Sequence, residues 1–391
     1  MNGPLPMPIL TRLIIKGRSL LPIVQGGMGV GVSAHRLAGT VASHGAVGTI
    51  ASVDLRRLHP DLMSETGRCR DADKINSANL VALDREVRAA REIAGGRGLI
   101  AVNVMRAVSQ YADYIRQACE SGCGAIVMGA GLPLDLPDLT ADHPDVALIP
   151  ILSDVRGVNL LVRKWMRKQR LPDAIVIEHP RYAGGHLGAA DENDVMSARF
   201  DFETVIPGVI ATLRDLGVEP IPVIAAGGVN SHAKVREMIN LGASAVQLGT
   251  AFAVTEEGDA HPVFKKVLAE AMPEDIVTFM SVAGLPARAV RTPWLERYLK
   301  REARMKEKAK DRGTCTLAWD CLLSCGLRDG LPRAGQFCID NQLAAAVAGD
   351  LEHGLFFRGS ESLPFGSLIA RVEDLLRYLV NGEFPHGLEP V

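Results

Sequence analysis

Short apolar runs punctuate the chain from Pro22 to Gly249, and between them apolar positions return every three or four residues. Runs of that kind fit strands buried on both faces, and the intervening period fits helices. Pro22–Gly29 (PIVQGGMG) is the first predicted strand, ending in a glycine-rich turn, with a helix from Ser33, a suitable N-cap, to about His44. Ala46–Ser52 is the second; residues 53–78 are polar and irregular and lead into a helix over Asn79–Ala94. Leu99–Met105 is the third, with helix Ser109–Glu120 behind it. Ala125–Ala130 and Ala147–Ser153 are the fourth and fifth, before a basic helix over Val158–Arg170. Ile175–Ile177 opens the sixth. Ile221–Ala226 is the seventh, followed by helix His232–Asn240, and Ala245–Gly249 is the eighth, followed by helix Pro262–Ala271.

Eight apolar strands, each followed by a helix or a helix-bearing connection, predict an α/β fold of the (β/α)8 TIM-barrel class. A doubly wound sheet is the competing architecture. It would gather its phosphate-binding glycines in the first βα unit, whereas here they are spread over several strand ends. A barrel brings the carboxyl ends of all strands to one face. On that face would lie Gln25–Met28, Asn103, Ser153, Glu178, His186, Gly227-Gly228 and Gly249-Thr250. Residues 1–285 make the barrel in this reading, and 286–391 form a helical, cysteine-containing extension not needed to close it.

The bulk numbers narrow the function. At 391 residues the chain can bury a large core, and 47% hydrophobic with 23% charged residues is the balance of a globular protein. A formal charge of −2 offers nothing to nucleic acid, and no apolar run approaches a membrane span. The first residues carry neither a signal-peptide core nor a small-residue cleavage site, which predicts a cytoplasmic protein. Seven cysteines in a reducing compartment then point away from disulfides and towards metal or redox roles.

Candidate chemistry centres on IVIEHPRYAGGHLGA, Ile175–Ala189. Gly184 and Gly185 let the backbone approach a flat ligand, and His186, at the end of a loop after a parallel strand, is placed to move a proton near neutral pH. The loops after strands seven and eight, with Gly227-Gly228 and Gln247-Leu248-Gly249-Thr250, offer bare amides and a hydroxyl to an anion, where barrels commonly hold phosphate.

Together QGGMG, the Val-Asn of strand three, AGGHLG, AAGGV and LGTAF resemble the nitronate monooxygenase (2-nitropropane dioxygenase) superfamily, which includes FMN-dependent enoyl-acyl-carrier-protein reductases. The resemblance spans about residues 20–285. It implies FMN across the barrel mouth, its phosphate on the Gly227-Gly228 and Gly249-Thr250 loops, its ring near Gly26–Met28, and His186 as acid/base. Asn103 and Glu178 match positions that hydrogen-bond the flavin. The full expected cofactor set is Gln25, Gly26, Gly27, Met28, Asn103, Ser153, Glu178, Gly184, Gly185, Gly227, Gly228, Gln247, Gly249 and Thr250. Ile151-Leu152-Ser153-Asp154 and His179-Pro180-Arg181 depart from the family pattern.

The extension adds two features. Arg288–Arg312 holds ten Lys or Arg against four acids and reads either as a solvated helix or as a docking surface for an acidic partner. Cys315, Cys321, Cys325 and Cys338 follow, spaced C-x5-C-x3-C-x12-C, as ligands for zinc or an iron–sulfur cluster. C-L-L-S-C, F-C-I-D-N-Q-L and A-G-D-L-E-H-G-L-F-F-R-G resemble the tail of a subgroup of the same superfamily that carries FMN and a [4Fe–4S] cluster. The resemblance implies an acyl-carrier-protein dehydrogenase/isomerase of unsaturated fatty acid synthesis. The competing activities are a nitronate monooxygenase using oxygen and an enoyl-acyl-carrier-protein reductase; the non-enzymatic alternative is a flavin/iron–sulfur redox sensor. The expected partner is an acyl carrier protein, and a homodimer is compatible with the sequence.

Overall fold

The computed structural model describes residues 10–385 and 387. Eight parallel strands close into a barrel: β1 (Ile23–Gln25), β2 (Val47–Ala51), β3 (Leu99–Met105), β4 (Ala125–Gly129), β5 (Ala147–Leu152), β6 (Ile175–Glu178), β7 (Val223–Ala226) and β8 (Ala245–Leu248), with β8 returning to pair β1. The period of two along each strand sorts side chains to two destinations. Val24, Val47, Leu99, Ala101, Val127, Ile149, Val176 and Ile224 point inward and fill the barrel. Ile23, Ile50, Val102, Ile126, Leu148, Ile177 and Val246 point outward into a core shared with the surrounding helices. The antiparallel hairpin Leu13–Ile15/Arg18–Leu20 stoppers the far end, since Leu13, Ile15 and Leu20 are buried against the inward-facing set.

The predicted strands and barrel are therefore present, with differences in the connections. Residues 53–78 are not irregular: a short turn at Leu55–Leu58 and a helix at Pro60–Thr66 precede a helix that begins at Ala72 and runs to Ala94. Asp71 caps it, its carboxylate accepting from the amides of Asp73 (3.0 Å) and Lys74 (3.2 Å). Ser33 is not the cap of the first helix. Its hydroxyl accepts from the Met28 amide at 2.8 Å, while Asp259 takes the amides of Ala34 and Leu37 at the start of His35–Ser43. A cap supplied from so far along the chain leaves no local signal. The β6–β7 connection carries a further helix, Phe202–Asp215, whose Pro207 masks it in the sequence.

Beyond β8 the chain forms an antiparallel hairpin, Ile276–Met280/Pro286–Val290, whose second strand pairs with Gly185–His186. The expected domain boundary at 285 thus falls inside a hairpin that holds the candidate histidine. The basic segment is two short helices, Pro293–Leu299 and Glu302–Glu307. The rest of the tail returns to the barrel mouth and ends in helix Val372–Asn381, where the Leu379 carbonyl meets His232 Nδ1 at 3.0 Å. Among the described residues no helix is long and apolar enough to cross a membrane.

Candidate active site

The carboxyl ends of the strands enclose a cavity of about 330 Å³. Gly26, Gly27, Met28, Asn103, Glu178, Gly184, Gly185, His186, Gly227, Gly228, Gln247, Gly249 and Thr250 line it, drawn from five strand ends as the barrel reading requires. Gly27 is glycine by necessity, because a Cβ there would stand 2.4 Å from the Cβ of Asn103.

Two of the expected residues do not line the cavity. Gln25 is fully buried and works as a strut: its side-chain amide donates to the Thr49 carbonyl (3.1 Å) and its carbonyl accepts from the Thr49 amide (2.8 Å). It thereby ties β1 to β2, which share a single paired position, Val24 with Val47. Ser153 instead donates its hydroxyl to the carbonyl of Gly188, which does line the cavity, at 3.3 Å.

His186 sits in the two-residue strand paired with Ala287 and Arg288, and its Nε2 lies 3.0 Å from the Ser281 hydroxyl. Ser281 is fully buried in the turn of the same hairpin. Burial pushes the imidazole down to about 4, so it is neutral at pH 7 and can accept a proton. Glu178 moves the opposite way, because burial raises its carboxyl to about 7. The two side chains thus offer a base and an acid on one cavity wall.

The tail supplies a wall that the sequence reading did not place. Leu322, Ile339, Leu343, Val347, Leu355 and Phe357 line the cavity, as do Asp340, Arg358 and Gly359. Ser281 was also missed, since an isolated serine after a strand carries no distinguishing pattern. The FFRG motif was visible, but its docking partner was not.

Arg288, expected on an exposed docking face, is 6% exposed and donates to the carbonyls of Pro180 (3.2 Å) and Ala183 (2.6 Å). It shapes the loop leading to His186. Arg297 pairs with Glu352 and Lys300 with Glu296, while Arg291, Arg301 and Arg304 remain exposed.

Cys315, Cys321, Cys325 and Cys338 are free thiols close enough that the other three add to the rise of the Cys321 thiol, behind burial and Asp340. Among the described residues, however, no group of three or more His, Cys, Asp or Glu is arranged to hold a metal ion. The donor set suits a cluster and its arrangement does not.

A family model described as nitronate monooxygenase matches residues 12–382. The probable nitronate monooxygenase of Bacillus subtilis strain 168 is 29% identical over 288 residues, 70% of this chain and 78% of that one. Its counterpart in Staphylococcus saprophyticus is 24% identical over 290 residues, 71% and 77% of the two chains. Among solved structures, FabK from Thermotoga maritima superposes with a TM-score of 0.60 at 22% identity, covering 92% of this chain and 91% of that one. Nitroalkane oxidase from Streptomyces ansochromogenes does so with 0.57 at 20%, covering 92% and 95%. At those identities the structures attest the fold alone. The family model attests more, because it spans both the barrel and the tail: the chain belongs to the nitronate monooxygenase family of oxidoreductases.

Proposed function

We propose that the cavity holds FMN and that His186 exchanges a proton with the carbon next to the carbonyl of an acyl thioester. The residues fit FMN in one visible respect. The strand-end wall is built largely from glycines, among them Gly26, Gly27, Gly184, Gly185, Gly227, Gly228 and Gly249, so backbone faces the space a flat ring would take. Gly227, Gly228, Gly249 and Thr250 would hold the phosphate, and Gly26–Met28 would lie against the ring. When bound, FMN supplies a two-electron acceptor or donor. The protein's part is positional and acid–base: neutral His186, steadied by Ser281, takes the α-proton or returns it, and protonated Glu178 can donate a hydrogen bond.

The observation that carries an acyl substrate over a smaller one is the apolar tail wall of Leu322, Ile339, Leu343, Val347, Leu355 and Phe357. A hydrocarbon chain gains about 0.8 kcal/mol for each methylene buried against such a surface. An alkyl nitronate is the second reading, favoured by the relatives named probable nitronate monooxygenases. It needs the same base but little of that wall.

Anaerobic bleaching of the flavin absorbance tests the choice. Bleaching by medium-chain acyl thioesters and not by alkyl nitronates is the expected result; the reverse makes the nitronate reading the correct one. Mass analysis of the heat-released cofactor should give FMN. The iron–sulfur expectation enters none of these steps. Its support is the tail resemblance and the cysteine donor set, the arrangement of the four thiols stands against it, and iron and sulfide analysis of anaerobically prepared protein decides it.

A further inference from the structure

Arg358 is 3% exposed, lines the cavity, and forms no salt bridge among the described residues. Its Nε donates to the Leu268 carbonyl at 2.8 Å and its Nη1 to the Gly359 carbonyl at 2.9 Å. Carbonyl dipoles orient a guanidinium but do not neutralise it. Glu361 is the one described carboxylate near enough for its charge to act on it, and its Oε1 accepts from the Ser360 hydroxyl at 3.2 Å. A buried cation without a close counter-charge is costly, and such groups are normally paired. No described residue closes an ion pair with it, and the open cavity it lines leaves room for a bound anion to do so.

The place of Arg358 says which anion. The segment 358–362 crosses three strand-end loops at once. Gly359 donates its amide to the Thr250 hydroxyl (3.1 Å) in the β8 loop, and the Ser362 hydroxyl meets Asn230 Nδ2 (3.1 Å) beyond β7. Ser360 donates its amide to the Tyr182 carbonyl (3.2 Å) in the β6 loop. The approach is tight: a Cβ on Gly184 would come within 2.5 Å of the Arg358 carbonyl carbon and the Gly359 nitrogen. The main chain at Arg358 is thus fixed beside the glycine loops proposed to hold the cofactor phosphate, and its side chain, held by the Leu268 and Gly359 carbonyls, lines the same cavity as they do.

We infer that Arg358 of the C-terminal tail is the charged ligand of the phosphate monoester of the flavin, closing from above a site whose floor is the Gly227-Gly228 and Gly249-Thr250 loops. This deepens the FMN reading and rests on it. A guanidinium is suited to a phosphate because its donors form a planar fork and its charge is permanent. The tail is then part of the cofactor site and not a separable docking module.

The test compares FMN with riboflavin, which lacks the phosphate, on the full-length chain. Flavin is removed and each ligand is titrated back by fluorescence quenching. Wild type should prefer FMN strongly. Arg358→Gln keeps a donor for one carbonyl but no charge; it should weaken FMN about 10- to 100-fold, the size of a lost charge-assisted hydrogen bond, and leave riboflavin within about twofold. Arg358→Lys should lose less, and the salt dependence of FMN binding should fall in Arg358→Gln. Equal losses for both flavins would make Arg358 a support of the fold and overturn the inference. So would unchanged FMN binding in Arg358→Gln, leaving the FMN reading intact. A wild-type chain that binds no FMN would remove both.

Discussion

At neutral pH the His186 imidazole is already a base, because burial holds it down to about 4 where an exposed histidine titrates near 6.5. His186→Ala should therefore retain flavin while turnover falls about 10²- to 10⁴-fold, the usual size of a general-base contribution. The pH profile of kcat/KM gives a second check. The base form persists as pH drops, so the acid limb should bend near about pH 4 to 5 and not near 6.5. Glu178 contributes in the other direction. Its folded carboxyl titrates at about 7 against an ordinary 4.5, so between those values the folded chain holds a proton that the unfolded chain has released. That stabilisation is full below about 4.5 and is lost as pH rises through 7. Relative to wild type, Glu178→Gln should gain up to about 3 kcal/mol near pH 8 and nothing below pH 4.5. Denaturant midpoints at the two pH values measure it, and an equal difference at both would assign the change to packing instead of ionisation.

At the level of elements, what the sequence displayed was whatever the local period encodes. All eight strands are legible because inward and outward side chains are both apolar, and the loop glycines are legible because they cluster at strand ends. Contacts made from afar were not legible. Asp259 capping the first helix, Gln25 bracing β1 to β2 and Ser281 steadying His186 all depend on closure of the barrel. The join between tail and barrel is of the same kind. Arg57, in the turn after β2, pairs with both Asp54 and Asp340, and Asp54 also meets Arg56 at 2.9 Å. Asp54 is fully buried and Asp340 is 2% exposed. Removing Arg57 leaves two buried carboxylates against one guanidinium, and breaking a buried pair in this way costs about 3–5 kcal/mol. Arg57→Met should lower the unfolding midpoint accordingly. Hydrogen exchange should show the loss first in the Ile339–Val347 helix, which Asp340 anchors, and an unchanged rate there would place the join elsewhere.

For the molecule as a whole, the tail has three faces with different work. One lines the cavity with apolar side chains, one carries Arg358 to the strand-end loops, and one is the basic surface of Pro293–Leu299 and Glu302–Glu307. Arg288 is buried and Arg297 and Lys300 are ion-paired, which leaves Arg291, Arg301 and Arg304, followed by Lys308, Lys310 and Arg312, as exposed charges without salt bridges among the described residues. If the thioester arrives on an acidic carrier protein, these charges can steer it, and the first three, Arg291, Arg301 and Arg304, lie on or beside the two short helices. Steering raises the encounter rate more than the affinity and fades with salt. Changing all three to Glu should lower kcat/KM for carrier-bound substrate, most strongly at low ionic strength, while a small thioester mimic is turned over as before. Because the three side chains are exposed, the fold should be unaffected, which a melting curve verifies. Parallel losses on both substrates would mean that the segment supports the cavity wall and not a partner. No loss on either would take these three charges out of carrier docking and favour a free thioester or a nitronate as the substrate.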